Sequence, residues 1–168
     1  MEQKLEYLQQ KIQEADAVLI GIGNELVLRE GREKQVSLAY EKIRQLIEKK
    51  NYFIISENDD DELLLHGFDE KRIISLAKEN FEGEDGEKKW TIYNSWLMAT
   101  MKKGLLLVEL GVGFQNPNAI RWPFERITFI GNGAHLIRIH RTFSQVDEKI
   151  RDKSESIATN SLEFLIEK

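Results

Sequence analysis

Leu105-Leu106-Leu107-Val108-Glu109-Leu110, running into Gly111-Val112-Gly113, decides the fold class of this 168-residue chain. A nearly continuous apolar run of that length belongs in a strand covered on both faces, the place a central strand takes in a parallel sheet. Outward from it, Ala17-Val18-Leu19-Ile20, Tyr52-Phe53-Ile54-Ile55-Ser56, Arg72-Ile73-Ile74-Ser75 and His135-Leu136-Ile137-Arg138-Ile139-His140 repeat the character and read as further strands. Leu5, Leu8 and Ile12 mark a short helix over 4–14, and Val36, Ala39, Tyr40, Ile43, Leu46 and Ile47 carry the clearest helical periodicity in the chain. A helix with Trp90, Tyr93, Trp96 and Leu97 is expected after the acidic, glycine-rich loop Glu82–Glu87. The stretch around Pro117 and Pro123 reads as irregular. A last helix is expected over about 154–167, with Ala158, Leu162, Leu165 and Ile166 on one face. Strands alternating with helical segments predict an α/β fold: a Rossmann-like parallel sheet flanked by helices, in a single minimal domain over 1–168.

Composition narrows the partners. Hydrophobic residues make up 41% of the chain and charged residues 32%, as in an ordinary globular domain. With 24 Lys+Arg against 29 Asp+Glu, the net charge is −5 and no basic stripe exists, so nucleic acid is not an expected partner. The absence of cysteine excludes disulfides, thiolate nucleophiles and Cys-based zinc or iron–sulfur centres. No zinc and no metal site is expected. The longest apolar run, Gly104–Phe114, contains Glu109 and falls short of the roughly 20 residues a spanning helix needs, so no membrane partner is expected. Met1-Glu2-Gln3-Lys4 has no signal pattern, which points to a cytoplasmic protein.

In an open parallel sheet, ligands collect outside the carboxyl ends of the strands, where strand order reverses. The unusual residues of this chain gather at those ends. Gly21-Ile22-Gly23 is a G-x-G directly after a strand, fit either to bring the backbone close to a pyrophosphate or to make a tight βα turn. Asn24 and Glu25 follow it, and a carboxylate at Glu25 opposes phosphate unless Arg29 or Arg32 offsets it. Asn58, Asp59, Asp60 and Asp61 either cap a helix or, with Asn58 and Asp60 turned inward, bond a sugar; consecutive acids on a helix do not share a face, which disfavours magnesium. Gly111, Gly113 and Phe114 form the third cluster, as a site of close backbone approach or a packed turn. Of the three histidines, His66 in Leu65-His66-Gly67 suits a helix end, His135 opens a strand at an exposed position, and His140 closes that strand at the ligand-bearing edge. Arg121, Arg126, Arg138 and Arg141 either bind phosphate or coat the strand ends. No Gly-x-Ser-x-Gly elbow supports a serine nucleophile.

Together these clusters resemble the sirtuin family, in particular the bacterial branch linked to macrodomains and lipoyl-protein ADP-ribosylation. Ala15–Gly23 is similar to the family's opening strand and G-A-G turn, which wraps the cofactor pyrophosphate. Asn58-Asp59-Asp60 falls on its N-x-D signature, lining the nicotinamide-ribose pocket, and Gly67–Ile73 resembles the segment after it. The most specific match is Leu107–Phe114 followed by Pro117, Ile120-Arg121, Pro123-Phe124-Glu125-Arg126 and Leu136–Ile139. The chain also departs from the pattern. Leu76-Ala77-Lys78 stands where the family has an L-H-G motif, and Ala77 cannot serve as a general base. Leu65-His66-Gly67 comes about eleven residues too early in the register that the resemblance sets. The family's I-P-D-F-R segment is missing or altered, Glu25 takes a small hydroxyl position, and His140 replaces an asparagine. The zinc module is absent, with Glu82–Glu87 in its place.

The resemblance implies NAD, or a ligand containing ADP-ribose, at the strand ends that carry Gly21, Asn58, Gly111 and His140. Gly21, Gly23, Asn24, Glu25, Gly111, Gly113, Phe114 and His140 would contact the cofactor, and Asn58 and Asp60 would be the catalytic pair. Activity, if any, would be NAD-consuming: ADP-ribosyl transfer or NAD hydrolysis, with weak or absent deacylation. The alternative is a non-catalytic pseudoenzyme that serves as a protein-interaction or homo-oligomerisation module. In it, Glu25 turns into the glycine turn, and Trp90, Tyr93, Trp96 and Trp122 supply an aromatic patch instead of packing in the core.

Overall fold

A computed structural model describes residues 2–77 and 83–167 of the chain. Six parallel strands form one sheet in the order β3-β2-β1-β4-β5-β6, with β1 at Ala17–Ile22, β2 at Tyr52–Ser56, β3 at Ile73–Ser75, β4 at Leu105–Leu110, β5 at His135–Ile139 and β6 at Ser154–Ile157. Every residue of β1 and β4 is buried, as expected of the two middle strands covered on both faces. Their register pairs Gly21 with Glu109 and Ile22 with Leu110.

Alternation along the strands sorts the core into two layers. Val18, Ile20, Ile54, Val108 and Ile137 face α1 (Glu2–Glu14), α2 (Glu33–Ile47), α3 (Asp61–Leu65) and α6 (Ser161–Ile166). Leu19, Phe53, Leu107 and Leu136 face α4 (Glu84–Thr100) and α5 (Arg121–Ile130). From β1 the chain moves outward through β2 to β3, and α4 returns it to β4 on the other side of β1. Strand order therefore reverses between β1 and β4, and the crevice outside their carboxyl ends is where such sheets hold ligands. No helix among the described residues is long and apolar enough to cross a membrane.

Three expectations need correction. The stretch expected to be irregular contains α5, because Pro123 stands in its first turn, where a missing N–H costs no helical bond. The expected helix over 154–167 is instead an edge strand, β6, and a short helix, α6. Ser154 to Ile157 pair with Leu136 to Ile139, and the Asn160 side chain caps α6 by accepting from the amides of Leu162 and Glu163. Ala158 lies outside α6 and is exposed. Within the expected acidic loop, Glu82 lies outside the described residues and Glu84, Asp85 and Glu87 form the first turn of α4, where acids favour the positive helix end.

Candidate functional site

A cleft of about 270 Å³ opens at the carboxyl ends of the strands. The turn after β1 lends it Asn24 and Glu25, the end of β2 lends Glu57, the loop after β4 lends Gly113 and Phe114, and the segment after β5 lends His140 and Phe143. Four separate strand ends thus converge on one site.

Three of the glycines near these strand ends are required by packing within the protein. A Cβ on Gly23 would lie 2.3 Å from the Gly111 carbonyl oxygen, so the β1 and β4 turns press together. Gly111 has φ +72°, and a Cβ there would meet Glu25 Cβ at 2.4 Å. The space beside Gly21 is filled by Ile120 and Phe124 of the α5 layer, so this residue seats a helix and does not reach the cleft. Gly113 alone faces the opening, with His140 Nε2 3.4 Å from the place its Cβ would occupy.

Glu25 points neither into the glycine turn nor toward Arg29 or Arg32. Its stem packs on Gly111, Oε1 accepts from the amide and hydroxyl of Ser161 at 2.8 and 2.9 Å, and Oε2 accepts from the Arg141 amide at 2.9 Å. The carboxylate therefore ties the β1 turn to the start of α6 and the end of β5. His140 lies beside it, with Nδ1 3.7 Å from Glu25 Oε2. That approach is no ion pair, because Nδ1 accepts the amides of Thr142 and Phe143, each at 2.9 Å, and an acceptor nitrogen carries no proton. The ring is neutral and presents Nε2–H to the cleft. Burial lowers its pKa, Glu25 opposes that shift, and Arg121 adds to it.

Phe143 packs against His140 at 5.1 Å and against Phe114 at 5.2 Å between ring centroids, giving the cleft an aromatic wall. Beneath it, the Arg121 guanidinium sits 4.0 Å from the Phe114 ring centre and donates to the carbonyls of Val112, Phe143 and Gln145. Arg138 is fully buried and forms a two-pronged pair with Glu109, at 2.9 and 2.8 Å, plus a bond to Glu125 at 2.7 Å. Burial alone lowers the Arg138 pKa, but Glu109 and Glu125 outweigh it and hold it above the ordinary value. Both arginines fix the loops around the cleft from within the protein. The signal in the sequence was a glutamate inside an apolar strand matched by an arginine inside the next.

Asn58 stands at the same crevice, donating to the Gly23 carbonyl at 3.0 Å and hydrogen-bonding Tyr40, whose hydroxyl is pushed up to about 12, first by burial. The Ser75 hydroxyl donates to the Asn58 carbonyl at 2.6 Å. Asp60 is buried at the N-cap of α3, and Asp59 accepts from the Asp61 amide, so this cluster does form a helix start. Neither Asn58 nor Asp60 lines the cleft that holds His140. Among the described residues, no group of three or more His, Asp or Glu is placed to hold a metal ion. Lys78 of the Leu76-Ala77-Lys78 segment lies outside the described residues.

The remaining singled-out residues hold the framework. His66 closes α3 and is held by Glu41 at 3.0 Å and Ser37 at 3.3 Å. His135 is half-buried, contrary to expectation, and burial lowers its pKa. Tyr93 and Trp96 pack on Phe53, while Trp122 is 48% exposed. Sequence reasoning missed Phe143 of the aromatic wall and Glu57, immediately after β2, whose Oε1 is buried and bonded to nothing among the described residues.

A fully parallel sheet in this strand order, with a cleft at its reversal point, makes the chain a Rossmann-like α/β domain. No family model matches it. Over 57 residues, 33% of its length, it is 37% identical to a probable bifunctional ADP-ribose hydrolase/ADP-ribosyltransferase of Fusarium oxysporum f. sp. cubense, and the match takes in 9% of that protein. The chain is thus similar, over a third of its length, to part of a much longer ADP-ribose-related protein.

Proposed function

We propose that this domain binds NAD or another ADP-ribose-containing nucleotide in the cleft at the strand ends, as a divergent sirtuin-like protein. The observation that carries this reading is the meeting of the β1, β2, β4 and β5 ends in one cleft at the switch point. The partial similarity to an ADP-ribose-related protein supports the ligand class. At about 270 Å³ the cleft is near the lower bound of small-molecule sites, so it encloses only part of such a nucleotide and the rest extends beyond its rim. Phe114 and Phe143 offer faces for a planar ring. His140 Nε2–H is a donor suited to a phosphate or ring oxygen.

Ala77 stands at the position where the family resemblance expects a catalytic histidine, so deacylation is weak or absent. Turnover, where it occurs, takes a histidine-independent route in which the nicotinamide glycosidic bond of NAD is cleaved by water or an acceptor.

Titration calorimetry with NAD, ADP-ribose and nicotinamide, alongside an assay for released nicotinamide, tests this. Binding of NAD or ADP-ribose is expected, and Phe114→Ala and His140→Ala should weaken it. Gly23→Val is unsuitable as a probe, since any Cβ there strikes the Gly111 backbone. No binding up to millimolar ligand would overturn the reading and favour the interaction module.

A further inference from the structure

Ser37, His66 and Glu41 stand in a relay between α2 and α3, and none of the three lines the cleft. Ser37 and Glu41 lie one turn apart on α2, and the His66 ring, at the C-terminal end of α3, spans them. Nδ1 is 3.0 Å from Glu41 Oε2, and Nε2 is 3.3 Å from Ser37 Oγ. The carboxylate takes the Nδ1 proton, which leaves the Nε2 lone pair to accept the serine hydroxyl. Nucleophile, base and orienting acid are thus in order, and such a set is recognised by geometry whatever its place in the sequence. Ser37 and His66 are partly exposed and their neighbours Leu38 and Leu65 are exposed, so another protein surface can reach the hydroxyl.

The surroundings decide which electrophile fits. Acyl transfer builds an oxyanion and needs N–H donors aimed at it. Here the amides of His66, Gly67 and Phe68 are committed to the carbonyls of Glu62, Leu64 and Leu63. Glu62 Oε2 lies 3.5 Å from His66 Nε2, so two carboxylates flank the ring that holds the serine hydroxyl. Arg44 approaches only the other oxygen of Glu41, at 3.7 Å. Negative charge suits a developing cation, and glycosyl transfer supplies one, since its transition state resembles an oxocarbenium ion.

We propose that Ser37 is an acceptor of ADP-ribose, taking it from NAD held in the cleft of a second copy of this chain. The inference rests on the nucleotide reading above. Ser37 Oγ bonds to the anomeric carbon of the nicotinamide ribose as the carbon–nitrogen glycosidic bond breaks. The bonding pair leaves with nicotinamide, which departs neutral, and the hydroxyl proton passes to His66 Nε2 and then to solvent. Glu41 and Glu62 stabilise the imidazolium while it lasts. The cleft, with Ala77 where the family resemblance expects a base, need supply none, because the acceptor brings its own.

Incubation with NAD at pH 8, followed by intact-mass measurement and fragmentation, tests this. One ADP-ribosyl group should appear on Ser37 and resist neutral hydroxylamine, which would release it from Glu41 or Glu62. Ser37→Ala, a change that helices favour, should abolish the label while the cleft still binds ADP-ribose by calorimetry. His66→Gln, its fold checked by thermal unfolding, should slow labelling on the order of a hundredfold. In a mixture of Ser37→Ala with Phe114→Ala, the label should appear on the second chain alone, and its absence there would overturn transfer between copies. Binding of ADP-ribose with no label on Ser37 would overturn the acceptor role and leave the nucleotide reading intact. Failure of the wild type to bind NAD or ADP-ribose up to millimolar concentration would overturn both.

Discussion

At the residue scale, two glutamates near one cleft have opposite fates because their neighbours differ. Glu25 meets two backbone amides and a hydroxyl, so its charge is satisfied by protein donors. Glu57 meets another acid, and its buried Oε1 meets no donor among the described residues. The consequence for stability follows from the direction of its shift. The folded protein holds the Glu57 proton up to about pH 7, whereas the unfolded chain loses it near 4.5. Its contribution is therefore fully present below 4.5 and is lost as pH rises through 7. Glu57→Gln should remove that slope and leave the variant more stable than wild type at pH 8, by about 1 kcal/mol after allowing for solvent screening of a half-exposed side chain. Urea denaturation at pH 4.5, 6 and 8 measures it, and an unchanged pH profile in the variant would contradict this account. Neither fate was legible in the sequence. Glu25 was recognised as a charge in the wrong place for phosphate, but Ser161, which resolves it, lies 136 residues away.

At the element scale, β4 and β5 are joined by more than their ladder. Glu109 and Arg138 are direct register partners, and both side chains are fully buried. Arg138 also reaches Glu125 in α5 and the Gln145 carbonyl, so one guanidinium braces two strands, a helix and the loop behind the aromatic wall. Replacing one partner strands the other charge in the core. Arg138→Met should cost about 3–5 kcal/mol, and the double variant Glu109→Leu with Arg138→Met should recover much of that loss. A double-mutant cycle by chemical denaturation reads the coupling, and simple additivity would mean the pair is not a unit. The helical and strand periods of the first half were legible because each element there buries one clear apolar set. The second half was harder. Ser154-Glu155-Ser156-Ile157 carries too little apolar character to announce an edge strand, and only the open edge of β5 explains it. Pro123 masked α5 because its position in the first turn is visible only once the helix start at Arg121 is known.

At the scale of the whole molecule, the sheet order converts local turns into one site. β1 and β4 are remote in sequence but adjacent in space, and the Gly23 and Gly111 turns touch because strand order reverses between them. The sequence carried the glycines, His140 and Phe114, which the structure does bring to the same end of the sheet. It did not carry their division of labour, since whether a glycine serves a ligand or a neighbouring backbone depends on what crosses above it. Hydrogen exchange should expose this architecture directly. Amides of β1 and β4 are flanked by strands on both sides and covered on both faces, so they should exchange only by global unfolding. The edge strands β3 and β6 should open locally and exchange sooner. Added ADP-ribose should slow exchange together in the segments after β1, β2, β4 and β5, because a ligand in the cleft touches all four. It should leave α1 and the amino-terminal ends of the strands, at the opposite rim, unaffected except for the general stabilisation that any bound ligand confers. Protection centred on the outer faces of α4 and α5 would place the ligand elsewhere and contradict a site at the switch point.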